Sequence, residues 1–200
     1  MHGYSIDSDE RRNLVIILAL LGIGLAYLAS VGQDLVDRSW PWWFDAPAAF
    51  GFTTLLYTAF DRSLWRWRIF HWLSVVATPD FTGDWEGTIT SSHDKHATDH
   101  PVSVHINQRW TLISIVLEGK DSRSRSQLAG VVTKSGAAPR IVHTYVNEPR
   151  SGSVESMNIH FGTATMTLNE GGDILDGDYY TGRGRKTEGR IRLHRSRPVK

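Results

Sequence analysis

Pro101-Val102-Ser103-Val104-His105-Ile106 alternates apolar with polar residues, and a period of two marks a strand with one buried face. The same alternation returns at Met157, Ile159 and Phe161, and at Ile191 and Leu193 set among Arg190, Arg192 and His194. Turn-forming clusters separate these segments at His93–Pro101, Glu118–Asp121, Ser135–Pro139, Asn147–Ser153 and Asn169–Asp173. The spacing predicts roughly eight antiparallel strands, at 82–91, 101–108, 110–118, 123–134, 140–147, 154–161, 163–169 with 174–181 after a tight turn, and 188–195. Short strands so closely spaced fit a small closed β-barrel, which leaves no free edge. A two-sheet sandwich is the alternative.

Upstream the period changes. Asn13–Gln33 is uncharged and apolar, long enough to cross a hydrocarbon core of about 30 Å. After a loop carrying Asp34, Asp37 and Asp45 comes a second apolar stretch, Ala46–Phe60, bracketed by Trp40, Trp42 and Trp43 before and Trp65, Trp67 and Trp72 after. Aromatic anchors of this kind sit at membrane interfaces. The expected layout is an N-terminal segment 1–12, a transmembrane hairpin over 13–78 with spans about 13–33 and 43–61, and a barrel over 79–200. A signal peptide for the first stretch and a buried core helix for the second are the competing readings. Arg11 and Arg12 precede the first span, and Arg62, Arg66 and Arg68 follow the second. The positive-inside rule then puts both termini in the cytoplasm of an inner-membrane protein. Residues 63–77 interleave Trp with Arg66 and Arg68 and read as an interfacial or juxtamembrane helix, with nucleic-acid stacking as the lesser option. Thr78-Pro79-Asp80 ends it.

The chain holds no cysteine, so disulfides and thiolate metal sites are excluded. The barrel region is nearly balanced in charge and lacks the strong field of a general DNA or RNA binder. Its basic residues cluster late: Arg183, Arg185, Lys186, Arg190, Arg192, Arg195, Arg197 and Lys200, against Glu188 alone. The densest candidate site is Gly177–Leu193. Tyr179 and Tyr180 point to opposite faces of a strand, Thr181 follows, and Arg183 and Arg185 offer planar forks suited to phosphate. Arg123 and Arg125, further candidates for the ligand, share one strand face while Ser122, Ser124 and Ser126 share the other, a pattern that fits a polar barrel lumen or an exposed strand face, the exposed face being preferred. Arg140, His143 and Tyr145 could complete a pocket. Aromatic rings with guanidinium groups suit a ligand that has both bases and phosphates.

The His93–His100 stretch, rich in His and Asp, lacks a metal-ligand spacing and reads as a solvated loop. No nucleophile elbow, P-loop, zincin or dinucleotide motif occurs. No catalytic residue, metal or bound cofactor is expected, and a non-enzymatic role is the reading.

Gly83-Asp84-Trp85 resembles the Gly-x-Trp of lipocalin-type barrels, in which a Trp closes one end beneath an Arg of the last strand. Arg190 or Arg192 is the expected partner. More broadly, two transmembrane helices, then Pro79–Gly87, then a β-only domain ending in Gly177–Arg185 and Gly189-Arg190-Ile191, resemble the two-transmembrane, β-strand-rich effectors associated with CD-NTases in the CBASS antiphage systems of bacteria. The resemblance implies a cytoplasmic barrel that binds a cyclic dinucleotide made by a partner CD-NTase, ligand-driven homo-oligomerisation, and disruption of the inner membrane in abortive infection. A membrane-tethered, lipocalin-like carrier or scaffold for an apolar ligand is the alternative.

Overall fold

The alternating segments close on themselves in the computed structural model, which describes residues 1–34, 45–134, 138–150, 158–182 and 186–196. After a first strand β1 (His2–Ile6), the barrel is built from β2 (Gly83–Ile89), β3 (His100–Gln108), β4 (Leu112–Glu118), β5 (Ser122–Val132), β6 (Arg140–Pro149), β7 (His160–Leu168), β8 (Ile174–Thr181) and β9 (Glu188–Arg195). Around the barrel the order is β1-β4-β3-β2-β9-β8-β7-β6-β5, and β1 meets β5 to close it. Closure settles the choice between barrel and sandwich.

The described strands number nine rather than roughly eight: the described end of the expected strand 154–161 runs on into 163–168 as the single strand β7, 174–181 is a strand of its own, and residues 2–6 supply one from before the apolar run. Next to their hairpin turn β4 and β5 pair directly, from Val116↔Arg125 to Glu118↔Arg123. Further along they diverge, and β1 fills the gap. It runs antiparallel to β4 at His2↔Ile113 and parallel to β5 from Tyr4↔Ala129 to Ile6↔Val131. Tyr4 drops into the core, and Asp7 accepts hydrogen bonds from the Thr133 hydroxyl and the Thr133 and Lys134 amides.

The core confirms the alternation at Val102, Val104 and Ile106 and at Ile191 and Leu193, all buried. It reverses the parity expected near residue 160. Ile159 and Phe161 face outward, 63% and 60% exposed, while His160, Gly162, Ala164 and Met166 face in. Met157 and the start of the expected strand 154–161 lie outside the described residues.

One end of the barrel is plugged. Trp85 is fully buried and donates its indole N–H to the Phe81 carbonyl at 3.0 Å. The arginine over its ring is Arg195, 4.3 Å from the ring centre, rather than Arg190 or Arg192. In β9 the even-numbered residues point outward and Ile191, Leu193 and Arg195 point in. Arg195 also donates to the carbonyls of Gly172, Thr82 and Asp80. Beside this plug the buried Gln108 donates to the Tyr4 hydroxyl and the Pro79 carbonyl and accepts from the Phe81 amide. A single side chain thus ties β1 to the stretch where the chain rejoins the barrel.

Residues 8–77 form a separate helical unit. It contains α1 (Glu10–Asp34), α2 (Asp45–Arg62), a short 3-10 turn at Leu64–Arg66 and α3 (Arg68–Trp72). Among the described residues Glu10–Gly32 is the one stretch of helix long and apolar enough to cross a membrane. The expected second span forms α2, but Thr53, Thr54, Tyr57, Thr58 and Asp61 dilute its apolar character. Leu14, Leu18, Gly22 and Ala26 make a buried stripe four residues apart along α1. At Gly22 an added Cβ would lie 2.1 Å from the Thr53 hydroxyl oxygen, so the absence of a side chain lets the two helices approach closely. Gly24 and Gly51 have no such neighbour within 4 Å. The carboxylate of Glu10 accepts the Ala77 amide, joining the start of the helical unit to its end.

Candidate functional site

At the end away from Trp85 the barrel is hollow. A cavity of about 380 Å³ occupies the lumen, within the size range of small-molecule pockets. Its two sides differ. Strands β2 to β4 supply an apolar wall of Ile89, Val102, Val104, Ile115 and Leu117, and β5 and β6 supply a hydrogen-bonding wall of Ser122, Ser124, Ser126, His143 and Asn147. His93, Lys120 and Asp121 come from the connections around the opening, and His100 from the first position of β3.

Both inward tyrosines are seated by glycines. Tyr145 on β6 lies opposite Gly162 on β7, where an added Cβ would stand 2.3 Å from the ring. Tyr179 on β8 lies opposite Gly189 on β9, where a Cβ would stand 2.8 Å from the ring edge. In each pair the missing side chain is what lets the ring lie against the barrel wall. The Tyr179 hydroxyl donates to the Thr90 carbonyl at 3.2 Å.

Of the residues expected to bind ligand, Tyr145, Tyr179 and Thr181 reach the lumen. Thr181 spends its hydroxyl on Thr187, accepting that residue's amide at 2.8 Å. Tyr180 points outward and is 59% exposed. Arg123 and Arg125 lie on the outer face in ion pairs with Glu118 at 3.1 Å and Glu148 at 3.0 Å. Arg140 shares the outer face of β6, its neighbour Ile141 being the buried one. Arg183 and Arg185 lie outside the described residues. Among the described residues the lumen therefore gathers tyrosines without arginines, and Lys120 is its one lysine or arginine. Asn147, His160 and the three serines were not anticipated as site residues. The inward serines were legible in the alternation of 122–126, but nothing local marks them as lining a cavity.

Burial decides the chemistry of this wall. His143 is pushed down from its ordinary 6.5 to about 4, first by desolvation and then by the charge of His2. It is uncharged at neutral pH, so it offers hydrogen bonds rather than a counter-charge to phosphate. Asn147 donates to Ser122 at 3.1 Å and Ser124 at 2.9 Å, which orients its amide in the wall. The Nδ1 of His160 donates to the Asn158 carbonyl at 2.9 Å, which leaves Nε2 as an acceptor in the neutral ring. An apolar wall facing neutral donors and acceptors suits a flat heterocycle with polar edges.

The depressed pKa makes stability depend on pH. Between about 6.5 and 4 the unfolded chain holds a proton on His143 that the folded chain does not, so stability is full above 6.5 and falls as pH drops towards 4. Denaturant titrations at pH 7 and pH 5 should show wild type losing about 2 kcal/mol more than His143→Gln. An equal loss in both proteins would refute the burial argument.

The family model described as Cap15, cyclic dinucleotide receptor domain, matches residues 76–195, which span β2 to β9 and the whole described lumen. The chain belongs to this family. CD-NTase-associated protein 15 of Yersinia aleksiciae is 26% identical over 152 residues, covering 76% of this chain and 71% of that protein. The Cap15 family match begins at residue 76, so β1 and α1 precede it.

Proposed function

We propose that the protein is a CBASS effector whose barrel lumen binds a cyclic dinucleotide and whose helical unit then breaches the bacterial inner membrane. The observation that carries the reading is the cavity of about 380 Å³ inside the region matched by the cyclic dinucleotide receptor domain. Tyr145 and Tyr179 supply ring faces, and His143, Asn147 and the serines supply polar edges for the bases and riboses. His93, His100 and Lys120 at the mouth, with Arg183 and Arg185 in the β8–β9 connection, serve the phosphates. The protein acts as a receptor without catalysing a reaction.

Chain topology supports a two-pass anchor. The barrel takes one strand from before the helical unit and eight from after it, so a chain that crosses a membrane in α1 must cross back before residue 78. The second crossing falls to α2, and both ends of the unit lie on the side that holds the barrel. Arg11, Arg12, Arg62, Arg66 and Arg68 favour the cytoplasm as that side by the positive-inside rule. Val15, Ile16, Leu20, Leu21, Ile23 and Leu28 are exposed along α1, a face that lipid would cover. Ligand-driven assembly of such hairpins is the disruptive step, with the ligand favouring the assembled state.

The apolar β2–β4 wall also suits a lipid-like ligand, the carrier reading, but such a ligand would offer no partner to His143 Nδ1 and Asn147 Oδ1, which are buried in the polar wall without a hydrogen bond among the described residues. Calorimetry of the detergent-solubilised full chain with cyclic di-AMP, cyclic di-GMP and mixed cyclic GMP–AMP should detect binding of at least one. Silence across the panel with binding of a fatty acid would establish the carrier instead.

A further inference from the structure

We propose that β1 is the element that transmits ligand occupancy from the lumen to α1, an inference that rests on the receptor reading above. The strand is short and lightly held. It pairs with β4 at two positions and with β5 at three, whereas β6 and β7 pair from Arg140↔Thr167 to Asn147↔His160. Strands with few ladder bonds open most readily. Asp7, Ser8 and Asp9 alone separate its end at Ile6 from the start of α1 at Glu10.

Its other end touches the ligand wall. His2 Nδ1 lies 3.0 Å from the Gly3 carbonyl, and His2 Nε2 lies 2.8 Å from the hydroxyl of Ser126, which lines the lumen. A carbonyl can only accept, so Nδ1 carries the proton, and in the neutral ring Nε2 accepts the Ser126 hydroxyl. That hydroxyl already accepts the Ile115 amide at 2.9 Å and has a single proton to give. A phosphate or carbonyl oxygen entering the lumen at Ser126 competes for this proton and releases His2. Ser126 also borders the register shift that interrupts the β5–β6 ladder between Ser126 and Leu128, a local break in the pairing of that wall.

The absence of cysteine in the chain permits a clean test. Ser5 pairs with Gly130, and a Cβ built on Gly130 would lie 3.2 Å from the Ser5 hydroxyl oxygen, so Ser5→Cys with Gly130→Cys can staple β1 to β5. In the full-length wild type, a bound cyclic dinucleotide from the panel should speed hydrogen exchange of the Gly3–Asp7 amides at least about fivefold, the lower end of ordinary allosteric coupling. The oxidised double variant should bind that ligand as wild type does, while its amides stay protected and dye release from phospholipid vesicles falls at least about fivefold until a reductant restores it. Unchanged protection of β1 in the ligand-bound wild type overturns the proposal. So does equal dye release from oxidised and reduced protein, or loss of ligand binding on oxidation, which would make β1 a gate for entry. If wild type binds no member of the panel, the receptor reading fails and this inference falls with it.

Discussion

Ala164→Phe should weaken cyclic dinucleotide binding by about 100-fold or more, equivalent to roughly 2.7 kcal/mol, while leaving the barrel folded. Ala164 lies on β7, between His143 on β6 and Tyr179 on β8 in the same register row, and its side chain borders the cavity. A benzyl group there occupies the space between the two rings that the ligand needs. Overpacking a core costs about 1–3 kcal/mol, but here the added atoms enter a void, so the loss of stability should fall below that range. Calorimetry measures the affinity, and circular dichroism with thermal unfolding checks the fold. Arg125→Ala is the control. Its side chain is half exposed on the outer face in a pair with Glu148, and such pairs contribute about 0–1 kcal/mol, so its affinity should stay within about twofold of wild type. If Arg125→Ala abolishes binding and Ala164→Phe does not, the ligand binds the outer face and the lumen assignment is wrong.

Trp85→Ala should cost about 3–5 kcal/mol of stability, the largest loss expected from a single side chain in the barrel. The indole has no accessible surface, so its removal leaves a buried gap in the plug. The substitution also leaves the Phe81 carbonyl without the indole N–H and removes the ring beneath Arg195. A double-mutant cycle with Arg195→Met should return a coupling of about 0.5–2 kcal/mol, the range of a partly desolvated cation–π pair. The cycle is read by denaturant titration of the full chain. A Trp85→Ala loss under about 1 kcal/mol would mean the closed end can collapse around the gap.

The expected barrel boundary at residue 79 would suggest a fragment that begins there. It would lack β1, leaving β4 and β5 unpaired where they diverge and Gln108 without its Tyr4 partner. Binding measurements therefore belong on the full chain.

Strand alternation is a local property, and where the inward face is apolar it could be read without neighbours: Val102, Val104 and Ile106 alternate as they do because one face is buried inside the barrel. The serine and arginine faces of 122–126 were legible for the same reason. Around residue 160 the lumen is hollow and polar, so His160 and Gly162 face in while Ile159 and Phe161 face out, and the rule of apolar-inside assigns the wrong face. A β domain, its principal strands and a long apolar helix are readable without the structure, because each of these rests on periodicity or composition within a short stretch of chain. That His2–Ile6 belongs to the barrel, that Arg195 covers Trp85, and that serines, histidines and Asn147 are the polar residues lining the cavity among the described residues follows from how the strands pack. Those outcomes depend on which strands become neighbours and in what register, and that is set by packing between residues as far apart as Tyr4 and Ala129.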